Sequence, residues 1–188
     1  MGFGIRDSGF DYHHYVTVLF LCTGNSARSI LAEAILNAAP AARGRFKAFS
    51  AGSHPSGAVH ALALELLRER GIPVDGLRSK SWDEFAAPRA PAIDIVVTVC
   101  DAAAAETCPV WPGRPAAAHW GLPDPAARRG SPADQRGAFE QTADLLQRRI
   151  ERLLALPIDT LDRDALLRAL RKIGDLHGPQ SHRVTETN

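Results

Sequence analysis

Cys22 opens the run Cys22-Thr-Gly-Asn-Ser-Ala-Arg-Ser29, whose residue types suit one task, the capture and attack of a tetrahedral oxyanion. The backbone amides of Thr23, Gly24, Asn25, Ser26, Ala27 and Arg28 can converge in front of a helix N-terminus, where the helix dipole adds positive potential. Gly24 and Asn25 are types that accept the left-handed dihedrals such a nest requires, and Arg28 offers a planar fork to two oxygens of the anion. A thiol at the base of that nest is favoured as thiolate, and Ser29 can donate a hydrogen bond to the sulfur. A cysteine with an arginine a few places on is common by chance. What makes this run informative is its frame: Val16 to Leu21 is a short apolar, β-branched run that reads as a buried strand. After the loop, Ile30, Leu31, Ala34, Ile35 and Ala38 recur at helical spacing.

Two further thiols and one carboxylate could join this chemistry. Cys100 ends the dense β-branched run Ile93 to Val99, which reads as a strand. Cys108 follows an alanine-rich stretch, residues 102–107, that favours a short helix and would set Cys108 about 12 Å from Cys100. So short a helix is marginal by itself, so the two thiols can meet if it unwinds. Asp124 lies in Gly121-Leu-Pro-Asp-Pro125, a loop by composition. Near an anion site its carboxyl could protonate a departing oxygen, whereas alone an Asp before Pro is an ordinary turn pair.

The elements that must position these groups alternate in type. After the first strand and helix come a strand over residues 45–51, a turn-rich loop, and a helix with Val59, Leu62, Ala63, Leu66 and Leu67 on one face, ended by Gly71-Ile-Pro73. Residues 77–85 read as a loop running into a short helix, and residues 116–120 as a short strand. Ser131-Pro132-Ala-Asp134 carries the capping serine, first-turn proline and following acid of a helix start. The helix it opens shows Phe139, Thr142, Leu146, Ile150 and Leu153 on one side and stops before Pro157. A last helix, residues 161–173, turns Leu166, Leu167 and Leu170 inward and is closed by Gly174. Alternating strands and helices predict an α/β fold, a small doubly wound parallel sheet with helices on both faces and the chemistry gathered beyond the carboxyl ends of its strands.

The chain's 188 residues suit one domain, residues 16–174, with a polar extension over 1–15 and a tail over 175–188. A formal charge of +1, from 22 basic and 21 acidic residues, gives no general attraction to nucleic acid or to a membrane surface. The first fifteen residues lack the apolar core of a signal peptide, so the expected location is cytoplasmic. Cysteines there serve catalysis or redox work more than cross-linking, and three is an odd number for a paired framework.

The Cys22 to Ser29 run resembles the phosphate-binding loop of the low-molecular-weight protein tyrosine phosphatases. Together with Phe49-Ser-Ala-Gly52, Thr98-Val-Cys-Asp101, Cys108-Pro109 and His119-Trp-Gly-Leu-Pro-Asp-Pro125, it resembles more closely the thioredoxin-coupled arsenate reductases of that fold. The resemblance spans residues 16–150 and implies a four-stranded sheet of order 2-1-3-4, which sets Cys22 and Cys100 at the same end of strands about 4.8 Å apart. It implies that Cys22 attacks arsenate, Cys100 displaces arsenite, Cys108 rescues Cys100 and Asp124 is the general acid, with a thioredoxin-like donor closing the cycle. It implies no required cofactor, although some relatives hold a potassium ion, and the matching positions here are Asn25, Glu33, Ser50 and Asp83. Ala27 stands where some relatives carry another cysteine. The alternative within the fold is a phosphatase acting on phosphotyrosine. Against it, Ala126 follows Asp124-Pro125, where such phosphatases place an aromatic residue. An oxyanion-binding module without activity would need neither the acid nor the extra thiols.

Overall fold

The computed structural model describes residues 15–106, 109, 111 and 113–177; Cys108, residues 1–14 of the polar extension and residues 178–188 of the tail lie outside them. Four parallel strands form the sheet: β1 (Val16–Cys22), β2 (Phe46–Gly52), β3 (Ile95–Thr98) and β4 (Ala116–His119), in the order β2-β1-β3-β4. Helices α1 (Arg28–Ala38), α2 (Ala61–Glu69), α3 (Asp101–Ala105), α4 (Pro132–Leu154) and α5 (Arg163–Gly174) complete the fold. Both the α/β class and the strand order agree with expectation.

β1 is central, and its apolar run is continuous because both of its faces are covered. Val18, Phe20 and Cys22 face the larger core with α1, α4 and α5, while Leu19 and Leu21 face Phe85, Val96 and Trp111 on the other side. The period of two along the strand thus decides that the Cys22 sulfur emerges on the α1 side. α4 starts on the reciprocal Ser131–Asp134 capping box and buries Phe139, Thr142, Leu146, Ile150 and Leu153, the stripe expected from the sequence.

Two expectations are corrected. α3 is five residues long and ends at Ala105, with Glu106 already extended, so the helix expected over residues 102–107 does not run its full length toward Cys108. Five residues supply little more than one helical turn, and the alanines add only Ala103 to the core. Gly174 does not close α5 in a left-handed cap; it is the last helical residue. A Cβ there would meet the His119 carbonyl oxygen at 2.4 Å and Trp120 Cδ1 at 2.9 Å, so the glycine serves the close approach of α5 to the end of β4.

Candidate active site

Each chemical group lies where a strand's carboxyl end meets the following loop. The loop after β1 is held from outside by its carbonyls: Thr23 O accepts from His54 N at 3.0 Å, Gly24 O from Ser56 N at 2.9 Å and Ser79 Oγ at 3.2 Å, and Ser26 O from His60 N at 2.9 Å. Carbonyls fixed on that side are the arrangement in which loop amides can face the other way, toward an anion. Asn25 is the residue in the left-handed region, at φ 43°, whereas Gly24 is not among the positive-φ glycines. Gly52 at the end of β2 permits the packing behind: a Cβ there would lie 2.4 Å from Thr23 O.

The Cys22 sulfur is buried and held by two partners, the Asn25 amide at 3.2 Å and the Ser29 hydroxyl at 2.9 Å. Asn25, fully buried, secures the second of these from behind. Its amide donates to Ser29 Oγ and to Ser50 Oγ, both at 2.9 Å, and its oxygen accepts from Lys80 N at 2.8 Å. Ala27, buried, stands at the N-cap position of α1. Arg28, the first residue of α1, donates from Nη1 to Leu122 O at 3.0 Å and lies 3.4 Å through Nη2 from Asp124 Oδ2. The proline-rich loop after β4 therefore carries both the stop that orients the guanidinium and the carboxylate beside it. Asp124, half exposed, also caps the turn Pro125–Ala127 through Ala126 N.

Cys100 follows β3, the strand next to β1, and is free and buried, as is Cys22. Its sulfur accepts from Ala103 N at 3.4 Å, capping α3, and lies 3.7 Å from the Thr23 hydroxyl. One side chain of the cradle thus touches the second thiol. Thr23 Oγ1 also donates to Glu106 at 3.4 Å. Cys22, Arg28, Cys100 and Asp124 are therefore together at one sheet edge, and Cys108 lies outside the described residues.

The residues matched to a potassium site are only partly brought together, and the set does not fit that ion. Asn25, Glu33 and Ser50 meet behind the loop, with Ser50 Oγ donating to Glu33 Oε2 at 2.5 Å. Asp83 is exposed: Ser81 caps the turn Trp82–Phe85 and its hydroxyl takes the Asp83 carboxylate at 3.1 Å, which directs it outward. The cation beside Glu33 is instead the chain's own Lys80 ammonium, 3.3 Å from Glu33 Oε2 and 3.5 Å from Ser50 Oγ. Among the described residues no cluster of three or more His, Cys, Asp or Glu could hold a metal.

Two positioning groups went unread in the sequence. His119, at the end of β4, bridges Thr98 Oγ1 at 2.8 Å and Asp101 Oδ1 at 2.9 Å, clipping the first residue of α3 to the sheet. Gly121 makes room, since a Cβ there would lie 2.7 Å from the imidazole and 2.8 Å from the carboxylate. Arg149 of α4, almost fully buried, donates to Trp120 O at 2.8 Å, Gly121 O at 3.3 Å, Gly174 O at 2.7 Å and Leu176 O at 2.8 Å, fastening the start of the Asp124 loop to the end of α5. Burial pushes its guanidinium down to about 10, which leaves it charged at neutral pH. An Arg amid apolar helical positions is the signal that sequence reading could have used. No described helix is long and apolar enough to cross a membrane.

The profile of the family described as low molecular weight phosphotyrosine protein phosphatase matches residues 17–167. An arsenate reductase of Bacillus licheniformis is 34% identical over 136 residues, which are 72% of this chain and 93% of that protein. The structure of a thioredoxin-dependent arsenate reductase of Corynebacterium glutamicum superposes with a TM-score of 0.55 at 28% identity, covering 74% of this chain and 60% of that one. The low molecular weight protein tyrosine phosphatase of T. tengcongensis superposes with a TM-score of 0.60 at 27% identity, covering 78% and 99%. Likeness of fold thus extends to proteins named for two different reactions.

Proposed function

The chain belongs to the low molecular weight phosphotyrosine protein phosphatase family, among its arsenate reductases, and we propose from this that it reduces arsenate to arsenite through a three-thiol relay. Arsenate settles in the amide cradle against Arg28, and the Cys22 thiolate attacks arsenic(V) while Asp124 protonates the oxygen that leaves as water. The Cys100 thiolate then attacks the Cys22 sulfur. The electron pair of the S–As bond passes to arsenic, arsenite departs as arsenic(III), and a Cys22–Cys100 disulfide remains. Cys108 attacks Cys100, freeing the Cys22 thiolate and moving the disulfide to Cys100–Cys108. A thioredoxin-like dithiol supplies the two electrons that reopen it. Such a relay needs reducing surroundings, which suits the cytoplasm.

The observation that carries this reading is the second reduced thiol, Cys100, buried beside the cradle and in contact with Thr23. Phosphomonoester hydrolysis is the second reading, favoured by the phosphatase superposition and served by the same cradle and acid. Cys100 has no task in it, and Ala126 offers no aromatic face to a substrate ring. In a single-turnover experiment, Cys108→Ser should release about one arsenite per chain and stall with a Cys22–Cys100 disulfide, mapped by mass spectrometry. Sustained cycling of that variant with thioredoxin would remove the third thiol from the scheme.

A further inference from the structure

Behind the cradle, on the side away from the Cys22 sulfur, lies a buried polar cluster that neither attacks nor protonates anything. Lys80 is 6% exposed and Glu33 8%, an arrangement that is costly unless each charge is answered. The geometry answers them. Gly52 N donates to Lys80 O at 2.9 Å and Lys80 N donates to Asn25 Oδ1 at 2.8 Å, so the lysine backbone is pinned between the end of β2 and the loop. Its side chain then folds back, and the ammonium spends its three protons on Glu33 Oε2 at 3.3 Å, Arg78 O at 3.2 Å and Ser50 Oγ at 3.5 Å. Ser50 in turn accepts from Asn25, whose amide also holds Ser29, the partner of the Cys22 sulfur. One chain of hydrogen bonds therefore runs from the ammonium to the nucleophile.

The oxygen set around Nζ, one carboxylate, one hydroxyl and one carbonyl, is the kind that holds a hard monovalent cation. We propose that Lys80 is a built-in cation: its ammonium occupies this position, sets the cradle without any alkali ion, and its removal opens a site for one. A compact point charge with three donors on a flexible stem suits the role. Removing the ammonium alone leaves the Glu33 carboxylate buried and uncompensated. A cation from solvent is then the replacement that restores neutrality without disturbing Ser50 or Asn25. This inference is independent of whether arsenate or a phosphate ester is the substrate, because it concerns the empty cradle and its affinity for an inorganic oxyanion.

The test compares the wild-type chain, Lys80→Met and the double variant Lys80→Met/Glu33→Gln in KCl, NaCl and choline chloride at an equal ionic strength of about 0.1 M. Thermal melting and inorganic phosphate affinity are the readouts. Wild type should melt at the same temperature in all three salts. Lys80→Met should melt several degrees lower in choline chloride and bind phosphate about tenfold more weakly, and KCl or NaCl should restore most of both losses. The double variant, with no buried charge to answer, should again ignore the salt. A wild-type response to KCl as large as that of Lys80→Met would overturn the proposal, because a cation would then bind with the lysine in place. So would a folded Lys80→Met indifferent to salt, or one rescued by lower pH in place of salt, since Glu33 would then have taken a proton. Should Lys80→Met fail to fold in every salt, cations do not replace the ammonium and the proposal fails. Recovery of fold in the double variant would trace that failure to Glu33.

Discussion

Asn25→Ala is the perturbation that most directly tests whether the loop is shaped from behind. Asn25 sits at φ 43°, where a residue with a Cβ pays roughly 1–2 kcal/mol and asparagine less, because its short polar side chain bonds locally. Alanine would also leave the buried Lys80 amide without its acceptor, at about 1–3 kcal/mol, and release Ser29 and Ser50 from their common donor. These terms sum to a stability loss of about 2–5 kcal/mol. Asn25→Gly removes the strain but not the lost hydrogen bonds, and pays roughly 0.4–1 kcal/mol for a freer unfolded chain. Glycine should therefore be more stable than alanine by roughly 0.5–1 kcal/mol while remaining well below wild type. Urea unfolding followed by fluorescence of the three tryptophans measures the series, and phosphate binding reports the cradle in each variant. If alanine lies within about 0.5 kcal/mol of wild type, the network behind the loop does not hold it. If glycine is no better than alanine, the left-handed backbone carries no strain.

Asp124→Asn should slow arsenite release about 100-fold or more while changing phosphate affinity far less, since the carboxyl is needed for proton donation and only pairs with Arg28 in the resting site; rapid-quench single turnovers against phosphate titrations separate the two. In a background of Cys22→Ser and Cys108→Ser, where Cys100 is the sole thiol, Asp101→Ala should speed its alkylation about fivefold by releasing the first turn of α3 from His119. Asp101→Asn, which keeps an acceptor, should not, and equal rates in the two variants would mean that the His119 clip does not restrain α3. Arg149→Met should cost about 3 kcal/mol or more in urea unfolding, because one buried and three partly buried carbonyls lose their donor, and should raise hydrogen exchange at residues 120–122 and 174–176 together.

The parts of the site legible in the sequence are those written in local patterns. The run from Val16 to Cys22 gives the strand, its period of two puts Cys22 on the same face as Val18 and Phe20, and the helical stripe from Ile30 fixes where α1 starts and hence where Arg28 stands. The Ser131 capping box is equally local. Less legible was which residue of a permissive pair bends: Gly24 and Asn25 both tolerate left-handed backbone, and contacts far along the chain decide. Gly24 O is claimed by Ser56 and Ser79 and the Asn25 side chain by Ser50 and Lys80, so Asn25 takes the bend. Gly174 misled for a related reason, since a glycine at a helix end has two uses, and only the proximity of β4 shows that close approach is the one in force.

The pairings that went unread share a feature: each joins a polar side chain to a partner on another element. His119 and Asp101 are 18 residues apart and Glu33 and Lys80 are 47 apart, so neither helical nor strand periodicity brings them into view. Composition carries a faint trace of the second pair. Of the 22 basic residues only Lys47, Lys80 and Lys172 are lysines, and Lys80 sets its compact ammonium where three oxygens converge. The same reasoning bears on Asp83. The physical requirement is only that the buried Glu33 carboxylate meet one positive charge. With Lys80 supplying that charge from within the chain, Asp83 has no cation to reach and is left to bond Ser81 at the surface.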